Sequence, residues 1–226
     1  MRASNMRIGL FGGTFNPIHR GHLWAALEVQ KRFNLDRIFL IPAALPPHKT
    51  SGQVAKADHR LGMINLAVAD CSGLTVSDVE LNRLGPSYTI DTIRYFKDTL
   101  DRDARIFLIM GLDAFLEIHT WKSHQELLEQ IAFIVIARPG KDYAEVRQGW
   151  EALAVYFKST LSADYQFDAA DGCYKSDRKQ PVYICDIQAL DISSTKIREK
   201  VKKKQSIEGL VIPGVADYIR LKGLYR

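Results

Sequence analysis

Two stretches of the sequence combine residue types that could do chemistry. In "GGTFNPIHRGHL", Gly12 to Leu23, His19 and His22 stand three apart around Gly21, just after a short apolar run. Three jobs are open to such a pair: plain loop residues, zinc ligands of an HxxH turn, or imidazole N–H donors to phosphate. Zinc would want a cysteine or carboxylate partner, and none is evident nearby. In "SSTKIR", Ser193 to Arg198, three hydroxyl residues precede an arginine placed one turn later. Hydroxyls and backbone N–H groups at a helix start, with a guanidinium aimed the same way, suit a phosphate. The run "KIREKVKKK" also reads as a solvated basic helix, which fits Lys200, Lys202, Lys203 and Lys204 but not Arg198.

The elements around these residues decide between the readings. "RIGLFG" (7–12) reads as a buried strand, and a helix follows from about Gly21. A strand that ends in Gly12 and Gly13 and leads into a helix lets the backbone approach an anion, which meets the positive end of the helix dipole. That context favours phosphate contact by His19 and His22, with Gly21 removing a side chain where a nucleotide could lie. The loop is neither a Walker A nor a GxGxxG sequence. Further strands are expected at 36–43, 74–81, 104–111, 131–138 and 182–187. Helices are expected at 58–70, 87–100 (capped by Ser87), around "SHQELLEQ", over 141–161, from Ser193 to Lys204, and after Pro213. The polar stretch 162–181 reads as an irregular loop or small hairpin. Apolar strands alternating with helices imply an α/β fold, Rossmann-like, with a parallel sheet covered by helices on both faces.

Composition narrows the class without choosing the activity. A chain of 226 residues with 46% hydrophobic and 25% charged content suits one domain, here 1–226, with a variable insertion near 141–181 and a C-terminal helical segment at 193–226. No apolar run approaches the ~20 residues of a membrane span. The start shows no targeting peptide, and Met6 is an alternative first residue. The net charge of +5 mildly favours anionic partners. Three widely spaced cysteines, Cys71, Cys173 and Cys185, make no CxxC pair, which fits a reducing cytoplasm.

"GTFNPIHRGHL" resembles the GxFxPxHxGH signature of the nucleotidyltransferase superfamily, a relative of the HIGH motif of class I aminoacyl-tRNA synthetases. "ISSTKIR" (192–198) matches that superfamily's second motif. "PPHK" (46–49), "PSYTIDT" (86–92) and "GLDAFLEIHTW" (111–121) are similar to segments of the bacterial nicotinate-nucleotide adenylyltransferases. The resemblance covers 7 to about 140 and 182–226 and lapses over the insertion.

This resemblance implies transfer of AMP from ATP to nicotinate mononucleotide. His19 and His22 would then be catalytic donors to the ATP phosphates. Gly12, Gly13, Thr14, Phe15, Ser193, Ser194, Thr195 and Arg198 would bind ATP. Lys49, Thr89, Gly111, Asp113, Trp121 and Lys122 would face the mononucleotide. Each has a plainer reading beside it. Trp121 stacks on the nicotinate ring or simply packs. Thr89, with backbone N–H groups at its helix start and beside Trp121, holds the nicotinate carboxylate or caps the helix. Lys49 pairs with phosphate or is a solvated loop lysine. Asp113 serves ribose or the metal–phosphate region, or is an N-cap. Arg60 is an anion contact or a helix-surface charge. The implied partners are ATP, with Mg²⁺, and nicotinate mononucleotide; neither nucleic acid nor a membrane is implied, no metal-ligating residue is singled out, and a homo-oligomer stays open. Rivals are adenylyltransferases acting on nicotinamide mononucleotide, phosphopantetheine or FMN, the cytidylyltransferases, an inert metabolite-binding relative and, from another class, a synthetase-like RNA-binding module. Against the last, there is no KMSKS-like motif and no basic patch interleaved with aromatics.

Overall fold

The computed structural model describes residues 6–44, 54–137, 153–188 and 190–226. Eight strands form one sheet: β1 (Arg7–Gly13), β2 (Arg37–Pro42), β3 (Leu74–Val76), β4 (Arg105–Gly111), β5 (Ala132–Ala137), β6 (Gln166–Asp168), β7 (Cys173–Lys175) and β8 (Val182–Asp186). Their order is β3-β2-β1-β4-β5-β8-β7-β6. The pairs β2–β3, β4–β5 and β5–β8 are parallel. The pairs β6–β7 and β7–β8 are antiparallel, so the small-hairpin alternative for 162–181 is the one realised. The expected α/β, Rossmann-like fold is the one observed, with an antiparallel edge added to the parallel sheet. Residues 132–136 of β5 are all buried, as a strand covered on both faces requires.

By contacts the chain divides into two compact units, 11–87 with 190–226, and 1–10 with 88–189. The first holds α1 (Arg20–Arg32), α2 (Ala57–Val68), α6 (Ser194–Lys202) and α7 (Pro213–Lys222). α7 opens on Pro213 in its first turn and closes at Gly223, whose φ of 60° is the left-handed conformation of a helix stop. α2 and α7 meet closely: a Cβ at Gly62 would stand 3.1 Å from the Tyr218 hydroxyl. The second unit holds α3 (Thr89–Thr99), α4 (Leu112–Leu116) and α5 (His124–Gln130). Ile90, Ile93 and Phe96 recur at helical spacing along the buried face of α3. Around Phe115 in the same unit the rings of Phe133, Tyr156 and Phe157 pack edge-on or tilted.

Two expected boundaries move. The strand expected at 74–81 stops at Val76, because Asp78 starts a turn in which its carbonyl accepts from the N–H groups of Leu81 and Asn82. Ser87 does not cap α3; Tyr88 is the N-cap, and the Ser87 hydroxyl instead accepts from the Ala44 N–H at 3.0 Å. The expected helix at 141–161 lies outside the described residues up to 152. Its described end is helical and finishes in a π-helical turn, Phe157–Leu161.

Candidate active site

The first unit brings both chemical motifs onto one loop, residues 14–19. β1 delivers the chain to this loop and α1 takes it away. Phe15 sits at φ 47°, a left-handed conformation that costs a bulky residue energy. Burial offsets that cost: its ring packs edge-on to Phe11 and to His22, at 5.9 and 5.1 Å between centroids. Gly13 makes the bend possible, since a Cβ there would lie 2.9 Å from the Phe15 ring. Gly12 has open space beside it. Gly21 has a use of its own in the fold: a Cβ there would stand 3.1 Å from the His19 ring, so the missing side chain gives that imidazole its place.

The two imidazoles stack, 3.7 Å between centroids and 25° between planes. His19 is buried and is the N-cap of α1. Its backbone N–H donates to Nδ1 of His22 at 3.2 Å. A nitrogen that accepts carries no proton, so in neutral His22 the proton sits on Nε2, and that atom is the donor. The helix start itself offers fewer N–H groups than the sequence suggested. The Arg20 N–H is taken by the Leu210 carbonyl at 2.9 Å, and the His22 N–H by the His19 carbonyl at 2.9 Å. The positive end of the dipole remains, because the first turn of α1 has no acidic residue.

"SSTKIR" docks on the same loop. Ser193 is the N-cap of α6, and its hydroxyl accepts from the Lys196 N–H at 3.2 Å. The Ser194 hydroxyl donates to the Pro17 carbonyl at 2.9 Å. Arg198 donates through Nη1 to the Asn16 carbonyl at 2.8 Å and through Nη2 to the Thr195 hydroxyl at 3.2 Å. The first turn of α6 also lacks an acidic residue.

Arg60 is not the helix-surface charge that was one of the readings offered for it. It is buried, and its guanidinium donates to the carbonyls of Thr14, Ala55 and Ala44 at 2.9, 3.0 and 3.3 Å. It is therefore no surface charge but a brace that ties the Thr14 carbonyl to those of Ala44 and Ala55. Burial pushes its pKa below the ordinary arginine value, and three charge-assisted bonds offset that burial. Among the described residues neither Arg60 nor Arg198 has a carboxylate ion-pair partner. Asn16 and Tyr225 also belong to this brace, and sequence reasoning passed over both. Asn16 could have been found, because it stands inside the signature; nothing marks Tyr225.

The second unit holds the residues expected at the mononucleotide. Gly111 ends β4 and is the N-cap of α4, which places Asp113 in the first turn rather than at the cap. The Asp113 carboxylate folds back over Gly111, where a Cβ would meet it at 2.4 Å. Thr89 opens α3. The Trp121 N–H is taken by the Ile118 carbonyl at 2.9 Å, so that group is not open to a ligand. Ser123, just beyond, is left-handed at φ 54°. Lys122 lies over the Tyr88 ring at 4.3 Å and 3.5 Å from Asp91. Lys49 and "PPHK" lie outside the described residues. Among the described residues no three His, Cys, Asp or Glu stand together as a metal cage, and no helix is long and apolar enough to cross a membrane.

Residues 10–200, which hold this strand–loop–helix and most of the Rossmann-like sheet, match a family model described as cytidylyltransferase-like, and that places the chain among the nucleotidyltransferases. A probable nicotinate-nucleotide adenylyltransferase from Desulfatibacillum aliphaticivorans is 42% identical over 97% of this chain and 100% of its own length. One of the same description from Thermus thermophilus is 38% identical over 98% of this chain and 100% of its own. The protein belongs to the nicotinate-nucleotide adenylyltransferase family. Its fold is similar to that of the Plasmodium falciparum nicotinic acid mononucleotide adenylyltransferase complexed with NaAD, at a TM-score of 0.68, 20% identity and 97% coverage of each chain.

Proposed function

We propose that the protein moves AMP from ATP to nicotinate mononucleotide, giving deamido-NAD and pyrophosphate. The observation that carries this reading is the junction of two motifs, 177 and 182 residues apart at their bonds, on one loop. A 5′-phosphate oxygen of the mononucleotide attacks the α-phosphorus of ATP. The bond from that phosphorus to the α,β-bridging oxygen breaks, and pyrophosphate leaves with the electron pair. A phosphate monoester is already anionic at neutral pH, so no general base is needed. Catalysis then rests on position and charge.

In this reading Nε2–H of His22 donates to the ATP phosphates, and His19 stacks behind it and shares the role. The acid-free starts of α1 and α6, with Arg60 and Arg198, make the field of the loop positive where negative charge grows. The hydroxyls of Ser193 and Thr195 and the remaining donors of Arg198 serve the β,γ side, while the Ser194 hydroxyl, spent on the Pro17 carbonyl, holds the loop against α6. Mg²⁺ would arrive with ATP as part of the substrate, held mostly through phosphate oxygens and water. Trp121 stacks on the nicotinate ring, Thr89 takes its carboxylate, and Gly111, Asp113 and Lys122 face the rest of the mononucleotide.

The test supplies ATP and Mg²⁺ with nicotinate mononucleotide, nicotinamide mononucleotide or phosphopantetheine, and measures pyrophosphate. Release is expected with nicotinate mononucleotide. None with either pyridine mononucleotide sinks the assignment, and equal rates with acid and amide sink only the acid preference.

A further inference from the structure

We infer that Tyr225, next to the last residue of the chain, is a positioning residue for the phosphate loop and acts through Asn16; this rests on the adenylyltransferase reading of that loop. The chain turns sharply to bring it there. Gly223 closes α7 at φ 60°, with its N–H on the Arg220 carbonyl and the Leu224 N–H on the Ile219 carbonyl. Tyr225 is then itself left-handed, at φ 63°. Only a firm contact holds a bulky side chain in that conformation.

The contact is a buried hydrogen bond. The Tyr225 hydroxyl donates to Oδ1 of Asn16 at 2.9 Å, and the same oxygen accepts from the Ala55 N–H at 3.0 Å. Two donors on one atom identify it as the carboxamide oxygen. Burial raises the pKa of the phenol, against the smaller opposing pull of Arg198 and Arg60, so it stays a donor across the working pH range. Asn16 is only 3% exposed. Its side chain is thus fixed by the C-terminus while its carbonyl is fixed by Arg198. The neighbouring Phe15 packs on the His22 ring, and His19 stands three residues after Asn16. A shift at Asn16 therefore reaches both imidazoles, and small misplacements of donors are costly in rate.

The test compares Tyr225→Phe with Tyr218→Phe. Tyr218 is a tyrosine of α7 whose hydroxyl bonds the His59 ring at 3.1 Å rather than a residue of the loop. For Tyr225→Phe we expect kcat to fall about tenfold, with KM for nicotinate mononucleotide within about twofold and the protein still folded. For Tyr218→Phe we expect kcat within about twofold. Unchanged kcat in Tyr225→Phe, or equal falls in both variants, overturns the inference. If Tyr225→Phe does not fold, Asn16→Ala takes its place: the same tenfold fall supports the inference and an unchanged kcat overturns it. Amide hydrogen exchange separates this question from the assignment of function. Should the wild-type protein release no pyrophosphate, faster exchange at 14–18 and at Ala55 in Tyr225→Phe still supports the positioning role, and unchanged exchange overturns it.

Discussion

The helix starts at the signature loop differ in charge from those of the second unit, although α2 of the first unit carries Asp58 in its own first turn. In the unit of the signature loop, α1 and α6 begin without an acidic residue, and Arg60 and Arg198 spend their donors on carbonyls and a hydroxyl. In the other unit α3, α4 and α5 carry Asp91, Asp113 and Glu126 in their first turns. There Arg94 is paired with both Asp91 and Glu126, and Lys122 with Asp91. A helix start supplied with its own carboxylate has its dipole already compensated. One left bare, above arginines without carboxylates, is suited to a ligand that brings the negative charge.

The largest effect that could break this contrast is at His22. If Nε2–H stabilises charge on the phosphates, His22→Ala lowers kcat by ~10²–10³-fold, the scale of a lost oxyanion donor. Near-full turnover in a folded His22→Ala variant would remove the phosphate role. Next comes Arg198→Lys, which keeps the charge. A single ammonium cannot reach the Asn16 carbonyl and the Thr195 hydroxyl in the fixed fork of a guanidinium. We expect kcat/KM for ATP to fall about tenfold or more, measured by initial rates across ATP concentrations. An Arg198→Lys enzyme equal to wild type would mean that only the charge counts and that the fork does not.

Legibility followed the same division. "GGTFNPIHRGHL" and "SSTKIR" were readable as two parts of one place, and Ser194 and Arg198 do donate to the carbonyls of Pro17 and Asn16. The sheet was readable because strands such as β5, buried on both faces, must be apolar throughout. What stayed hidden was the brace. Arg60 looks like any helix arginine until three carbonyls from two separate segments converge on it, and Tyr225 looks like tail. The Ser87 cap failed for a related reason: a local rule put its hydroxyl on α3, whereas a partner distant in sequence, the Ala44 N–H, took it. In the second unit Thr89, Asp113 and Trp121 each have a good local reading, and spacing alone could not separate it from ligand contact.

Trp121 tests the ring side, with a smaller effect of another kind. Stacking is worth about 0.5–1.5 kcal/mol beyond burial, so Trp121→Ala should raise KM for the mononucleotide about twofold to tenfold. Because the ring takes no part in charge transfer, kcat should change far less than in His22→Ala. The check is the ratio of the two parameters in one preparation. A kcat loss as large as that of His22→Ala would erase the distinction between a unit that stabilises charge and one that holds the ring.

The smallest expected effect is at Arg94, and its smallness is the point. Arg94 makes three short bonds to Glu126 and one to Asp91, the densest ion-pair cluster near the ring-side residues. Yet all three side chains are substantially exposed, and the hydrogen bonds to Glu126 are the main cause of the raised Arg94 pKa. Exposed pairs are screened by salt and spend side-chain entropy to form. Arg94→Ala should therefore shift the thermal midpoint by no more than about 2 °C, with the shift shrinking at about 0.5 M NaCl. KM for the mononucleotide should stay within about twofold, since Lys122 still faces Asp91. If Arg94→Ala instead cost the enzyme as much as Arg198→Lys, paired and carboxylate-free arginines would count alike. Charge compensation would then no longer tell the two units apart.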